Sequence, residues 1–284
     1  MGPIMLVQSA YGKSRVRLVQ IARHSDRDDL SDLTIAIRFE GEYAESYTSG
    51  DNAGVLPTDT MKNTVYALAA RDGIQEPEAF GLALATHFLE RNPRLVDVRV
   101  DLSARTWDRV RSGGPEDGED GHAFVGRGPD MRTASVGMSR TRTIIAGGVR
   151  DLLILKSSRS AFTGFLKDEF TTLPETQDRL LATSLTSTWN YGSREVDHGA
   201  VWRKVRQVLL QSFAAHDSAS VQHTMYAMGT AVLAEVPDVA VIHLVMPNKH
   251  HLPVDLSRFG LENRNEIFVS TDEPHGLIEA TIAR

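Results

Sequence analysis

Val55-Leu56-Pro57-Thr58-Asp59-Thr60-Met61-Lys62-Asn63-Thr64-Val65-Tyr66 packs hydroxyls, a carboxylate and a lysine into one turn of chain and then opens a helix. Thr58 or Asp59 can cap that helix through a side-chain oxygen, and Met61, Val65 and Leu68 recur at i, i+4 and i+7 on one apolar face. Taken alone the segment reads as an ordinary capped helix from Asp59 to about Ala70; its neighbours decide the fold. Upstream, apolar residues alternate at Val16 and Leu18 and again at Ile35, Ile37 and Phe39, with a polar connection from Ser25 to Asp32, which predicts a hairpin. Downstream, Pro77 suits the first turn of a second helix, to Arg91, with Phe80, Leu84 and Phe88 on one face. Asn92-Pro93 ends it. Val96, Val98, Val100 and Leu102 then alternate as a strand, and a Gly/Asp/Glu-rich loop from Gly113 to Gly121 leads into His122 to Val125. The order is strand, strand, helix, helix, strand, strand, an α+β arrangement.

The second half repeats that order. Arg132 to Met138 and Thr141 to Leu155 read as paired strands, with Gly147-Gly148 as a break or bulge. A long excursion from Ser157 to Tyr191 follows. Val201, Val205, Leu209 and Phe213 mark one helix and Val221, Met225, Met228 and Val232 the next, before strand signals at Val239 to Met246 and Ile267 to Ser270. Two structurally similar domains, 1–128 and 129–284, joined near Gly128, are expected.

Composition narrows the function. The chain has 284 residues, 24% charged and 41% hydrophobic, a formal net charge of -6 and no cysteine. That length suits one large domain or two of ordinary size. No apolar run approaches the roughly 20 residues of a membrane helix, and the acidic balance argues against nucleic acid as main partner. Without cysteine there are no disulfides, thiol nucleophiles or cysteine-held zinc. The opening Met1-Gly2-Pro3-Ile4-Met5-Leu6-Val7-Gln8 lacks a basic stretch and a full apolar core, so a cytoplasmic rather than secreted protein is expected. Gly126-Arg127-Gly128 lacks the third glycine of a dinucleotide loop, and no phosphate loop or paired-histidine zinc helix occurs. Glu116-Asp117-Gly118-Glu119-Asp120 does not match calcium-loop spacing and reads as a solvated hairpin end.

Four further segments carry chemistry-bearing side chains. Lys13 follows Tyr11-Gly12 at the entrance to a strand containing Arg15 and Arg17, where a lysine is ordinarily solvated. The run from Phe162 to Arg179 holds an aromatic that by itself reads as core, and a guanidinium whose planar fork fits a heterocyclic carbonyl and adjacent ring nitrogen. Arg179 could equally pair with Glu175, four residues earlier, if the segment were helical. In Ser220-Val221-Gln222, the Gln222 amide stands one turn before Met225, where it could face water. Pro247-Asn248-Lys249-His250-His251 follows a strand that the proline should end, leaving Asn248 and His250 at a sheet end. The histidine pair lacks a third ligand at a familiar metal spacing.

Taken in order, these segments closely resemble the urate oxidases (uricases), cofactor-free enzymes that oxidise urate with molecular oxygen; the resemblance runs from Tyr11 to the tail at Ile282. It implies two tandem tunnelling-fold (T-fold) domains, each an antiparallel sheet backed by two helices, assembled as a homotetramer around a tunnel with active sites shared between subunits. Lys13 and Thr58 would form a proton relay, and Thr58 and Asp59 would contact the substrate. Phe162 would stack on the purine, Leu173 would line the pocket, and Arg179 and Gln222 would grip complementary purine edges. Val221 would contact it through its backbone, and Asn248 and His250 would surround the oxygen and water position. The products would be 5-hydroxyisourate and hydrogen peroxide, with no metal or organic cofactor. Pro57 ahead of Thr58 is a less usual feature that restricts Leu56 to extended conformations. The terminal Ile282-Ala283-Arg284 is not a serine-lysine-leucine peroxisomal address. Two other functions bear on the same residues: a zinc-dependent relative of the same fold, against which the missing cysteines count, and a purine-binding tetramer without catalysis, which would lose the Lys13, Thr58 and His250 set.

Overall fold

The structure is a computed structural model that describes residues 4–111 and 119–284. Met1 to Pro3, and the acidic stretch through Glu116, Asp117 and Gly118, lie outside the described residues. The chain divides into two compact units, Met1–Gly147 and Gly148–Arg284. Gly128, where the sequence reading puts the join, instead lies inside a strand.

In the first unit four strands, β1 (Tyr11–Arg23), β2 (Asp28–Gly41), β3 (Leu95–Arg111) and β4 (Glu119–Ser139), pair antiparallel in chain order. Between β2 and β3 come a short helix α1 (Ala44–Thr48), then α2 (Thr58–Asp72) and α3 (Pro77–Arg91). Strand alternation puts Leu33, Ile35, Ile37 and Phe39 with Val98, Val100, Leu102 and Val136 on the covered face, where they are buried together with Met61, Val65 and Leu68 of α2 and Phe80, Leu84 and Phe88 of α3. Gly81 permits the close helix–sheet approach: a Cβ there would sit 2.7 Å from Leu102 Cδ1. The core also encloses Glu78, fully buried, whose carboxylate accepts from Arg132 at 2.6 Å. The two segments expected as His122 to Val125 and Arg132 to Met138 are one continuous strand, β4, and the second of them therefore belongs to the first unit.

The second unit contains β5 (Thr143–Lys156, begun in the first unit), β6 (Leu181–Tyr191), β7 (Val239–Pro253) and β8 (Phe268–Ala283), again in chain order, with α4 (His198–Ala215) and α5 (Val221–Glu235) between β6 and β7. The expected repeat of strand, strand, helix, helix, strand, strand is present, but its second strand is β6, which the sequence reading absorbed into a loop. Trp189, Leu185, Leu209, Met225, Val232 and Leu244 fill the core, and Trp202 Nε1 donates to Gly148 O at 2.9 Å. Gly147-Gly148 does not interrupt β5; the left-handed residue is Asp151, at φ 61°. Among the described residues no helix is long and apolar enough to cross a membrane.

Candidate active site

Lys13 lies on β1 opposite Ile37, immediately before a register shift that ends at Val16 and places Arg15 at φ 58°. Such a bulge re-aims the side chains beside it. Gly12 is required just ahead of it, because a Cβ there would come within 1.9 Å of Ile37 O. α2 runs beside β1 and is tied to it at both ends. The Leu56 backbone N–H donates to Tyr11 Oη at 3.1 Å, and at the other end Gln20 donates to Ala69 O at 2.5 Å and accepts from Ile74 N–H at 2.8 Å.

The expected cap at Thr58 or Asp59 is not made. Pro57 occupies the cap position with no side-chain oxygen to offer, only its carbonyl, which accepts from Met61 N–H at 3.2 Å, and Thr58 and Asp59 are the first two helical residues. Asp59 turns instead to Lys62, at 2.5 Å, and Asn63, at 3.0 Å. Lys62 accordingly holds the Asp59 carboxyl below the usual carboxylate range, with lesser contributions from Asn63 and from the charge of Lys13. Among the described residues neither Lys13 Nζ nor the Thr58 hydroxyl has a hydrogen-bond partner.

The second group of candidate residues is stitched together by backbone. The chain from Ser157 to Leu180 forms no helix, but its two ends are fastened to each other and to the approach to α5. Phe162 exchanges hydrogen bonds with Thr176, at 2.8 and 3.1 Å; Arg179 N–H donates to Ser160 O at 2.8 Å; Ala161 N–H donates to Ser218 O at 2.7 Å. Asp178 accepts from Ser160 N–H at 3.2 Å. Ser218 Oγ donates to Ser220 O at 3.1 Å, and Ser220 caps α5 by accepting from His223 N–H at 3.1 Å. One fastened loop thus carries Phe162 and Arg179 next to the α5 N-terminus that begins with Val221 and Gln222. A helix N-terminus presents free N–H groups and a partial positive charge, a setting for an anionic ligand. Val221 is buried, whereas Gln222 and Leu173 are exposed.

The ion pair that Arg179 could have made with Glu175 is absent, because the segment is not helical and Glu175 pairs with Lys167 at 2.8 Å. The Arg179 guanidinium lies 5.1 Å from the Phe162 ring centroid, and its buried Nε has no hydrogen-bond partner among the described residues. Burial pushes its pKa down from the usual arginine value. A charge desolvated this way without an anion beside it is costly unless a ligand completes it. Phe165 stacks on Phe162 at 4.8 Å with an interplanar angle of 13°, which holds that ring in a fixed plane.

Asn248 and His250 lie within β7, not beyond it. Pro247 pairs with Leu277 of β8, and the ladder to β6 holds the same register on either side of it, at Asn248 with Thr183 and Val245 with Thr186. A proline removes one donor, and the strand survives because its neighbours bracket the gap. Asn248 stands opposite Gly276 and His250 opposite Thr271, with a register shift between them. Among the described residues no three His, Asp or Glu side chains gather as a metal site. Lys13, Thr58 and Asp59 belong to the first compact unit, and Phe162, Leu173, Arg179, Val221, Gln222, Asn248 and His250 to the second.

Comparison with known proteins converges on one family. A family profile described as Uricase matches residues 9–137 and 145–279. The chain is 43% identical over 281 residues to a uricase of Arthrobacter globiformis, covering 99% of this chain and 90% of that protein, and 36% identical over 282 residues to a uricase of Dictyostelium discoideum, covering 98% and 97%. The crystal structure of uricase from Arthrobacter globiformis superposes with a TM-score of 0.93 at 43% identity, covering 100% of this chain and 96% of that one. On sequence, on fold and over its whole length, this chain belongs to the uricase family.

Proposed function

We propose that the chain oxidises urate with molecular oxygen and water to 5-hydroxyisourate and hydrogen peroxide, with no metal or organic cofactor. The observation that carries the reading is Arg179: a half-buried guanidinium without an anionic partner among the described residues, set against an aromatic ring and beside a helix N-terminus. Those features suit a flat anion bearing carbonyls and ring nitrogens, with Phe162 stacking on its face and Arg179 and Gln222 addressing its edges. Urate anion is electron-rich and gives two electrons to oxygen; oxygen takes them with two protons as peroxide, and water supplies the hydroxyl added to the purine. The protein's task is then orientation and proton handling. Lys13 and Thr58 act as the relay, a proton moving between Lys13 Nζ and the ligand through the Thr58 hydroxyl, while Asp59 and Val221 contact the purine, Leu173 lines the pocket, and Asn248 with His250 holds the water and oxygen position.

The reading includes a homotetramer with each site shared: Lys13, Thr58 and Asp59 from one subunit face Phe162, Arg179, Gln222, Asn248 and His250 from another. Apolar surface at Leu166 (95% exposed), Phe170 (81%) and Leu173 (54%), on the loop that carries Phe162, supports a covering partner. A cysteine-free composition supports a cytoplasmic location. The test is loss of urate absorbance by metal-stripped protein. Full turnover is expected, and activity abolished by a chelator and restored by one added metal would overturn the cofactor-free reading.

A further inference from the structure

We infer that Tyr11 is a positioning residue for the reaction, holding the turn that carries Thr58 at a fixed distance from Lys13; the inference rests on the proton relay proposed above. Lys13 is two residues beyond Tyr11 on β1, and Thr58 is two residues beyond Leu56. The bond from Leu56 N–H to Tyr11 Oη at 3.1 Å spans 45 residues of sequence and joins the two segments next to their reacting groups.

Tyr11 is well placed to act as a fixed post. Its ring meets Phe39 edge-on at 5.7 Å and Tyr43 edge-on at 4.9 Å. Phe39 is in turn packed against Phe88 of α3 at 5.1 Å, so the post is anchored in the core of the first unit. Burial raises the Tyr11 pKa above its usual value, which keeps the oxygen a neutral phenol. At the other end of the bond, Pro57 confines Leu56 to extended conformations, and Leu56, lying ahead of the α2 cap, gives its N–H to Tyr11. A proline-set backbone and a core-set hydroxyl together fix the start of α2. The far end of α2 has its own clamp at Gln20, so loss of the Tyr11 contact frees the N-terminal turn rather than the whole helix. A relay depends on donor–acceptor distance far more steeply than binding or folding does, since a misplacement of about 1 Å can cost on the order of a hundredfold in rate.

The test is a cycle of three variants of the full-length enzyme: Tyr11→Phe, Lys13→Met, and both together. Tyr11→Phe keeps the ring and its edge contacts and removes only the oxygen. It should lower kcat about tenfold, leave KM and the Kd for xanthine within about twofold, and leave the melting temperature within a few degrees. In the Lys13→Met background, Tyr11→Phe should cost nothing further in kcat, because a relay already broken has no distance left to set. Three outcomes are distinguishable. An unchanged kcat for Tyr11→Phe, with Lys13→Met inactive, overturns this inference and leaves the relay standing. A Tyr11→Phe loss that persists in full in the Lys13→Met background shows a general structural effect and also overturns it. Full activity in Lys13→Met removes the relay, and this inference falls with it.

Discussion

Replacing Arg179 by methionine should make the ligand-free protein no less stable while removing its ability to hold a purine. Methionine keeps most of the apolar length of arginine and removes a partly buried charge that no carboxylate among the described residues neutralises. Arg179 Nε is buried with no hydrogen-bond partner among the described residues, and the Phe162 ring, 5.1 Å away, compensates in part. A cation over an aromatic face contributes about 0.5 to 2 kcal/mol, and desolvating an unpaired charge costs several. The balance favours the neutral side chain, so the melting temperature should be unchanged or rise. Binding runs the other way. Hydrogen bonds from a charged donor contribute about 1.5 to 3 kcal/mol each, so losing both prongs should cost about 3 to 6 kcal/mol. Arg179→Lys, which keeps the charge and one donor direction, should cost about 2 to 4 kcal/mol, roughly thirty- to a thousandfold in Kd. The assay is titration calorimetry with xanthine, paired with thermal melting of the same preparations without ligand. If Arg179→Met bound xanthine within about threefold of the unmodified protein, Arg179 would not be a ligand anchor, and if its melting temperature fell by more than about 5 °C the argument from an uncompensated charge would fail.

Three other outcomes follow from particular contacts. Lys13→Met and Thr58→Ala should each lower kcat with little change in xanthine affinity, and the double variant should be little worse than either single; multiplicative losses in steady-state kinetics would show two independent groups. Glu78→Ala takes from the buried Arg132 one of its carboxylate partners and should destabilise the first unit by about 3 kcal/mol in urea denaturation; a loss below about 1 kcal/mol would contradict the burial argument. His216 is held below its ordinary value of 6.5, first by burial and then by His223, Lys156 and Arg159, with Asp217 opposing. A base depressed in the folded state leaves stability intact above its unfolded pKa and costs stability as pH falls below it. His216→Asn should therefore narrow the difference in urea midpoint between pH 7 and pH 5, and an unaltered difference would show that another group governs that limb.

The elements with clean periodicity were legible in the sequence. Met61, Val65 and Leu68 on α2, the Phe80, Leu84 and Phe88 face of α3, and the two helices of the second unit all stand where their spacing put them. β6 was not, because two of its inward positions, Thr183 and Ser187, are fully buried polar residues that blunt the contrast between faces. Pro247 misled for the opposite reason: the breaker is real, but the pairs on either side of it carry the strand through. The cap expected at Thr58 or Asp59 failed because Pro57 already sets the entry angle of the helix. The candidate site residues came from the order of motifs shared with a family, not from spacing. What no sequence pattern could supply is the contact between Tyr11 and Leu56, or the stitching of Ser160, Asp178 and Ser218 that sets Phe162 and Arg179 beside α5.

The central claim, that the chain moves two electrons from urate to oxygen and takes its new hydroxyl from water, is tested most directly by isotope labelling. Metal-stripped protein is given urate and unlabelled oxygen in water enriched in oxygen-18, and the initial product is trapped and analysed by mass spectrometry with urate, oxygen and peroxide quantified together. The account predicts equal consumption of urate and oxygen, an equal yield of peroxide, and one labelled oxygen in the purine product. An unlabelled product, or oxygen consumed without matching peroxide, would contradict it.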